Sequence, residues 1–427
     1  MKKVLIITYY WPPAGGPGVQ RWLKFVKYLR NFNIEPVIYI PENPSYPIID
    51  ESLIEEIPSD LTIIKHPIDE PYKIANVLSK GDSRAISKGI IPSDKKQNII
   101  QKMMLYIRGN FYIPDARKKW VKPSVIFLTD YIPDHDIDTV ITTGPPHSLH
   151  LIGLQLKSNL GLQWIADFRD PWTKIGYHKK LRLNVASRKK HKILEKKVLQ
   201  SADKIIVTSF LTKDQFESIT ERPISVITNG YDDQPDIEAI NLDRRFSISH
   251  IGSLSNERNP KLLWQVLYEL SRENNTFKSL LQINLVGTVG EEILRVLEEY
   301  DLTQFLNLKG YIEHKEALKY QRKSQLLLLV EIDSEDTRCI IPGKLFEYMI
   351  SERPILAIGP EASDVERILT ETNTGNYFNY SERRALKDAI LEYFNAFRKN
   401  ALNSHGIGLQ QYHRKALTKK LSELILE

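Results

Sequence analysis

The stretch KKVLIITYYWPPAGGPGVQRWLKFVKYL, residues 2–29, contains the pattern that decides the fold. Its apolar run Val4-Leu5-Ile6-Ile7 is typical of a buried β-strand. A loop rich in proline and glycine follows, and the apolar residues after the loop recur at helical spacing, which predicts a helix over residues 19–31. A strand, a glycine-rich loop and a helix in this order form the unit from which parallel α/β domains are built.

The same alternation continues along the chain and predicts two parallel sheets. Apolar runs predict strands at residues 4–10, 36–40, 61–65, 138–142, 164–168, 204–208 and 224–227, and then in FSISHIGSL, LLQINLVG, FLNLKGYI, SQLLLLVEI and RPILAIG. Helical patterns lie between them, at residues 19–31, 148–159, 188–200, 212–218, 260–274, 291–300, 315–323, 344–351 and 363–370. Continuous apolar strands joined by helical crossovers predict an α/β fold with two doubly wound, Rossmann-like domains.

A polar, turn-prone stretch divides the two series. We expect a first domain at residues 1–230, a linker at 231–245 and a second domain at 246–404, with a helix at 405–427 that packs back on the first domain. Ligands of such sheets bind beyond the carboxyl ends of the strands, so we expect the site in a cleft across which the domains face each other. Residues 66–136 are less regular, and we interpret them as an insertion on the first domain or as part of an acceptor or membrane face.

The composition excludes several classes of protein. With 427 residues, 42% of them hydrophobic and 26% charged, the chain has the composition of a globular protein. Its single cysteine, Cys339, excludes an intrachain disulfide framework and fits a reducing compartment. Neither a cleavable signal nor a membrane-spanning stretch is recognisable, which predicts a cytoplasmic protein.

The positive charge is concentrated in one segment. Between Lys174 and Lys197 there are ten Lys or Arg residues and a single acid, Glu195. Such a segment is typical of a solvated helix face, but it would also suit a phosphorylated substrate or an anionic membrane surface, with the protein peripheral at the inner face of the membrane. The rest of the chain is balanced in charge and has no recognisable nucleic-acid-binding motif, so we predict no nucleic-acid partner.

The segment IPGKLFEYMISERPIL, residues 341–356, contains the first candidate site. After Gly343 a helix is predicted to begin at Lys344, where a cation opposes the helix dipole and is better explained by an anion beside it. Glu347, one turn further on, could accept two hydrogen bonds from a diol such as a ribose. The alternative is an exposed Lys344–Glu347 ion pair with no function.

Loops after three other strands contain further candidates. In HIGSLSNERNPKLLWQVL, residues 250–267, Gly252 and Ser253 follow a strand, and the guanidinium of Arg258 could clamp a diphosphate or could simply be solvated. In LQWIADFRDPW and TTGPPHS the residues after a strand either contact a ligand or form a structural network; they are Asp167, Arg169, Asp170 and His147. No His, Cys and acid cluster has the spacing of a metal site, and no P-loop or nucleophile-elbow pattern is present.

Taken in order, these motifs resemble those of the family 4 glycosyltransferases, which have the GT-B fold. The resemblance runs nearly from end to end, through YYWPPAGGPGVQRWLKFVKYL, SADKIIVTSF, VITNGYD, IGSLSNERNPKLL and IPGKLFEYMISERPIL. It implies a retaining, hexosyltransferase-type enzyme that uses a nucleotide diphosphate sugar and a glycan or lipid-linked acceptor. It also implies transfer without a bound metal or other cofactor, and we expect a role in surface polysaccharide synthesis.

The resemblance also implies roles for individual residues. The donor would bind mainly to the second domain and the acceptor mainly to the first. Arg258 matches the basic residue of the family's first donor loop, Lys344 lies in the loop before the donor helix, and Glu347 matches the second acid of a paired-glutamate motif. The full prediction comprises catalytic Arg258, Lys344 and Asp167, further donor-binding residues Gly15, Gly16, Gly252, Ser253, Gly343, Leu345 and Glu347, and acceptor-side residues His147, Arg169 and Asp170.

The opening loop fits the same interpretation. Its glycines, at positions 15, 16 and 18, do not match G-x-G-x-x-G, which disfavours a dinucleotide oxidoreductase. Gly15 and Gly16 would instead let the backbone approach the donor closely, while the neighbouring aromatic residues either stack on a sugar or pack on the sheet.

Two positions depart from the family pattern. Cys339 stands where the family has the first of the paired glutamates, and Ser253 stands where an arginine is usual. These departures are consistent with one alternative, a nucleotide-sugar-binding protein that has lost catalysis. A second alternative is a sugar-nucleotide epimerase, which can share the two-domain architecture.

Overall fold

The computed structural model describes residues 1–70, 99–233 and 240–427, and it contains two compact units. Unit 1 comprises Met1–Asn229 together with Arg414–Glu427, and unit 2 comprises Gly230–His413. Residues 234–239 of the predicted linker and residues 71–98 of the predicted irregular region lie outside the described residues.

Unit 1 is built on a seven-stranded parallel sheet in the order β3-β2-β1-β4-β5-β6-β7. Its strands are β1 Lys2–Ile7, β2 Ile34–Pro41, β3 Thr62–His66, β4 Thr139–Gly144, β5 Gln163–Phe168, β6 Lys204–Val207 and β7 Ile224–Val226. Its helices are α1 Pro17–Leu29, α2 Ile99–Phe111, α3 Lys118–Asp134, α4 Ser148–Leu160, α5 Gly176–Lys180, α6 Val185–Ser201, α7 Phe210–Glu217 and, at the far end of the sequence, α15 Arg414–Leu426.

Apolar periodicity explains why these helices cover the sheet. Val19, Trp22 and Val26 recur on one face of α1 and are buried. They share a hydrophobic core with Leu417 and Leu421 of α15, so this helix belongs to unit 1. The terminal helix begins at Arg414 and is therefore shorter than the predicted segment 405–427. The residues before Arg414 belong to unit 2.

Unit 2 repeats the architecture with a six-stranded parallel sheet in the order β10-β9-β8-β11-β12-β13. Its strands are β8 Phe246–Ile251, β9 Leu281–Val286, β10 Leu306–Gly310, β11 Leu326–Val330, β12 Ile355–Gly359 and β13 Gly375–Asn379. Its helices are α8 Lys261–Glu273, α9 Asn275–Leu280, α10 Glu291–Glu299, α11 His314–Lys323, α12 Lys344–Met349, α13 Asp364–Thr372 and α14 Arg383–Arg398.

The predicted α/β class with two doubly wound sheets is confirmed. All twelve predicted strands are present, with ends that shift by a few residues. Six of these elements were not predicted, namely the helices α2, α3, α5, α9 and α14 and the edge strand β13. Within the described parts of the chain, no helix has the length and apolar character needed to cross a bilayer.

Candidate functional site

In each sheet, the strand order reverses at one point, between β1 and β4 in unit 1 and between β8 and β11 in unit 2. Most candidate residues follow these strands, whereas Asp167, Arg169 and Asp170 belong to or follow β5, one strand further along the sheet. In unit 2 the chain leaves β8 for β9 on one side, whereas β11 lies on the other side of β8. The loops that follow β8 and β11 therefore diverge at this point, which is where open α/β sheets bind ligands. We call His250, Gly252, Arg258, Glu331 and Lys344 the unit 2 cluster.

Lys344 lies at the centre of the unit 2 cluster. Its Nζ is 3.3 Å from Nε2 of His250, whose Nδ1 bonds the carbonyl oxygen of Leu328 at 3.0 Å. Since Nδ1 donates to that carbonyl, Nε2 carries a lone pair that can accept from the ammonium group. Burial and the charge of Arg258 lower the pKa of Lys344 to about 8, although Glu347 acts in the opposite direction. The cation is thus held in place, but at a cost that an anionic ligand would offset.

Gly252 makes room for this cation. Its φ is +110°, and a Cβ atom at this position would lie 2.7 Å from Nζ of Lys344. The position therefore requires glycine both for its backbone conformation and for its close approach to the lysine.

Arg258 brings a second cation to the same strand ends. It lies in a short 3-10 helix, Asn256–Arg258, and is half-buried. Its Nε atom is buried and has no hydrogen-bond partner among the described residues. Its charge contributes to the lowered pKa values of Lys344 and His250. A guanidinium group in this position can donate hydrogen bonds to an anion.

Glu347 is half-exposed and already oriented by two neighbours. Nε2 of His314 lies 3.0 Å from one carboxylate oxygen, and the side-chain amide of Gln321 donates to the other at 2.9 Å. Each oxygen of a carboxylate can accept more than one hydrogen bond, so these contacts leave capacity for a diol. The 29% exposed carboxylate can therefore reach a ligand while its geometry is fixed.

Glu331, which we did not predict, is a buried carboxylate after β11. It accepts hydrogen bonds from Oγ of Ser363 at 2.9 and 3.0 Å and from the hydroxyl of Tyr377 at 2.8 Å. Burial raises its pKa to about 8, and Arg258 acts in the opposite direction. Oγ of Ser363 also lies 3.4 Å from the carbonyl oxygen of Arg338, so this network anchors the loop that precedes α12.

The remaining predicted residues of unit 2 have different environments. Ser253 is exposed at the end of β8, and Gly343 has open space where a Cβ would lie. Leu345 is fully buried in the core, so its side chain does not line a ligand site in this structure. Cys339 is buried as well, at 8% exposure. The six-residue helix α12 is short, and its contribution to the cluster is the Lys344 side chain rather than a long dipole.

The hydrogen-bond partners of Asp167 in unit 1 are those of a structural network, the alternative to ligand contact. Its carboxylate accepts hydrogen bonds from Arg21 at 3.1 Å, from Nε1 of Trp22 at 2.8 Å and from Oγ1 of Thr143 at 2.8 Å. Arg21 in turn donates to the carbonyl oxygen of Thr228 at 2.8 Å. Asp167 has no exposed surface, so it fixes α1 on the sheet and does not reach a ligand in this structure.

Arg169 and Asp170 lie at the surface end of the same strand. The guanidinium of Arg169 donates to the carbonyl oxygen of Pro145 and lies 5.8 Å from the ring centre of Tyr10. A Cβ on Gly18 would lie only 1.6 Å from its Nη1, so a larger residue there would displace the guanidinium group. Asp170 is half-buried, and burial raises the pKa of its carboxyl group, while Arg169 acts in the opposite direction.

His147 is buried beside these residues. Its ring stacks on Trp172 with centres 4.9 Å apart and an interplanar angle of 3°. Neither ring nitrogen has a hydrogen-bond partner among the described residues. Burial, together with the nearby His150, holds its pKa well below the usual range, so the imidazole is neutral near pH 7.

The opening loop is packed rather than open. The amide of Gly15 donates to the carbonyl oxygen of Ile48 at 3.0 Å, and a Cβ on this glycine would lie 3.0 Å from the Ile48 side chain. Gly16 has a φ of +108° and open space beside it. Tyr9 and Trp11 are buried, which favours packing on the sheet for these two aromatic residues, whereas Tyr10 is half-buried beside Arg169.

Comparisons with known proteins show the fold. The structure matches a glycosyltransferase from Rickettsia africae with a TM-score of 0.61 at 12% identity, over 100% of this chain and 99% of that chain. It matches HepE from Anabaena, in complex with UDP and glucose, with a TM-score of 0.60 at 12% identity over 100% of both chains. It also matches a putative UDP-N-acetylglucosamine 2-epimerase from Listeria monocytogenes with a TM-score of 0.54 at 12% identity, over 99% of this chain and 95% of that chain.

The chain therefore has the GT-B fold that glycosyltransferases use, and which the epimerase shares. No protein-family model matches the sequence, and no curated protein matches it either.

Proposed function

We propose that the protein is a glycosyltransferase that moves a sugar from a nucleotide diphosphate sugar to a glycan or lipid-linked acceptor in surface polysaccharide synthesis. The observation that carries this proposal is the unit 2 cluster, in which Lys344 is held between His250 and Gly252 with Arg258 nearby. The GT-B fold supports it, because two cations at this strand end suit the diphosphate of such a donor.

The cluster would act on the leaving group. The bond between the anomeric carbon and the diphosphate oxygen breaks, and negative charge develops on that oxygen. Lys344 and Arg258 would stabilise this charge from fixed positions, which is the most effective form of electrostatic catalysis. We propose that these side chains replace a metal ion in this role, so that activity persists in EDTA.

Retention of configuration is the stereochemical part of the proposal. The acceptor hydroxyl would bond the anomeric carbon on the face that the diphosphate leaves, and its proton would pass to the leaving phosphate oxygen. The transition state would resemble an oxocarbenium ion. No protein base is needed for this step, which agrees with the burial of Asp167.

Glu347 would bind the ribose of the donor. Its carboxylate is fixed by His314 and Gln321 and is partly exposed, as a hydrogen-bond acceptor for a diol must be. On the acceptor side, we propose that Asp170 and Arg169 contact the acceptor, while His147 supports them from below.

A thermal-shift screen with a panel of nucleotide diphosphate sugars tests the proposal. Wild type is compared with Lys344→Met, which removes the cation, and with Lys278→Met, which removes an exposed lysine elsewhere in unit 2. We expect one donor to raise the melting temperature of wild type and of Lys278→Met, but not of Lys344→Met. If no donor shifts wild type, the proposal fails.

A second candidate is a sugar-nucleotide epimerase, which the shared fold favours. NMR of the donor incubated with the protein alone separates the two functions. Conversion to an epimer without an acceptor would identify the epimerase, whereas slow release of the sugar with its anomeric configuration retained would support the transferase. Binding of donor without either reaction, and without transfer when glycan or lipid-linked acceptors are added, would identify a nucleotide-sugar-binding protein.

A further inference from the structure

A small basic cavity lies in unit 1, outside the strand-end residues described above. It has a volume of about 380 Å³ and is lined by Thr173, His178, Lys179, Leu183, Arg188 and Lys192. Three of these six residues are cationic and none is acidic. A cavity with this lining favours a phosphate group over a neutral or cationic ligand.

The one acid of the surrounding segment does not offset this charge at the surface. Glu195 is 4% exposed and points inward, where its carboxylate accepts from the amide of Thr173 at 3.0 Å and from Oγ1 of Thr173 at 2.5 Å. These bonds use the carboxylate to fix the wall of the cavity. Lys174 is the cation whose charge acts on this carboxylate, whereas the lining of the cavity itself contains three cations and no acid.

An exposed apolar face lies next to the cavity, on α2. Met103 is 56% exposed, Tyr106 43%, Ile107 41% and Phe111 64%. Their spacing of three and four residues places them on one face of the helix. Val185 and Ile193 of α6, on either side of Arg188 and Lys192 in the sequence, are 82% and 55% exposed.

The helix that bears the apolar face is locked to the wall of the cavity. The side chain of Asn110 donates to the carbonyl oxygen of Arg182 at 3.3 Å and accepts from the amide of Asn184 at 2.9 Å. A Cβ on Gly109 would lie 2.5 Å from the carbonyl oxygen of Leu181, so the two backbones touch. The apolar face and the cations therefore form one continuous surface, which we call the α2–α6 surface.

We propose that the α2–α6 surface binds an anionic membrane, with a lipid phosphate in the cavity and the apolar side chains of α2 in the interface. Exposed apolar residues beside cations are the combination that binds anionic lipid, because each group alone gives only weak attachment. The positive charge argues for a membrane over a second copy of this chain, since two such surfaces would repel each other. This inference does not depend on the proposed function.

Co-flotation of the full chain with vesicles tests the inference. Vesicles of phosphatidylcholine alone are compared with vesicles that contain phosphatidylglycerol as well. We expect binding only to the anionic vesicles, weakened by salt. Neutralising two cations in Arg188→Gln/Lys192→Gln should lower the partition coefficient by about 25-fold, since one basic residue near the surface contributes about fivefold. The double variant Met103→Gln/Ile107→Gln should lower it by about tenfold.

Matched control variants separate the effect of this surface from the effect of removing charge or apolar side chains anywhere on the protein. Lys278→Gln/Lys309→Gln removes two exposed cations of unit 2, and Leu308→Gln/Ile407→Gln removes two exposed apolar residues of unit 2. Both should float like wild type. Equal loss in variants and controls, or wild type that does not bind anionic vesicles, would overturn the inference.

Two further arms distinguish other ligands of the same surface. Thermal shift with glycerol phosphate at constant ionic strength reports on a soluble phosphate ligand. Stabilisation by glycerol phosphate without any vesicle binding would assign the cavity to a soluble phosphate compound. Sedimentation equilibrium in which wild type is dimeric and Met103→Gln/Ile107→Gln is monomeric would assign the surface to a second copy. Either result would refute the proposal that this surface binds a membrane.

Discussion

If Lys344 binds the diphosphate of the donor as proposed, its charge should make nucleotide binding dependent on pH. The pKa of this lysine is lowered to about 8, so its charge is present below pH 8 and is lost as the pH rises through that value. About 90% of the side chain is charged at pH 7 and about 10% at pH 9. If the diphosphate binds only the charged form, its dissociation constant rises about tenfold between these two pH values, which corresponds to about 1.4 kcal/mol.

Isothermal titration calorimetry with the nucleoside diphosphate selected by the thermal-shift screen measures this effect. The matched variant is Lys344→Arg, which stays charged throughout the range because the guanidinium pKa is above 12. Its absolute affinity will differ, but its dissociation constant should be nearly flat from pH 7 to pH 9. Titration of the ligand itself affects both proteins and cancels in the comparison. The same slope in both proteins would refute the assignment of this cation to the diphosphate.

Three further predictions concern unit 1 and the fold. Gly18→Ala places a Cβ 1.6 Å from Nη1 of Arg169, so urea unfolding should show that the free energy of unfolding falls by about 1–3 kcal/mol. Gly343→Ala, where a Cβ meets open space, should leave it nearly unchanged. Equal free energies of unfolding in the two variants would contradict the packing described for Gly18. Asp167→Asn weakens three hydrogen bonds in a fully buried site and should lower stability by about 2–4 kcal/mol, and a change below 1 kcal/mol would show that the network is dispensable. Burial lowers the pKa of His178 to about 4 from 6.5, so the folded state binds fewer protons than the unfolded state below pH 6.5 and stability falls with acidification. His178→Gln should therefore lose about 2 kcal/mol less than wild type between pH 7 and pH 5, and parallel losses would exclude this histidine as a cause.

Strong local patterns explain why most of the fold could be predicted from the sequence. Each long parallel strand, such as β11, is a continuous apolar run because it is buried on both faces. The edge strand β13 has no such run, and its sequence GNYFN reads as a loop. The helix α3 contains Pro123 and Pro133, which normally indicate a helix boundary, but burial of Trp120 and Leu128 outweighs that preference.

For the candidate site, the sequence could predict only which loops contribute residues to it. Lys344, Gly252 and Arg258 follow strand ends as predicted, and the charge of Arg258 contributes to the lowered pKa of Lys344. The direction of a side chain cannot be derived from its position after a strand, so the sequence does not reveal that Asp167 and Leu345 are both buried.

Contacts between residues that are distant in sequence are the other feature that a local pattern does not show. The lack of room for a Cβ at position 18 comes from Arg169, which is 151 residues away. The carboxylate of Glu331 belongs to a buried network because Tyr377 and Ser363 donate hydrogen bonds to it. Its signal in the sequence, an acid directly after the run LLLLV, was present but weak.

The return of α15 to unit 1 has a consequence for synthesis on the ribosome. Helix α1 emerges early, yet the residues that cover its apolar face, such as Leu417 and Leu421, follow all 184 residues of Gly230–His413. Since 388 residues separate Leu29 from Leu417, that face waits on the order of 20–80 s for its partner at about 5–20 residues per second. Unit 2 is contiguous in the chain and can complete its core first. During translation, the nascent first unit therefore exposes an aggregation-prone apolar surface. A chaperone that shields this surface would raise the yield of correctly folded protein.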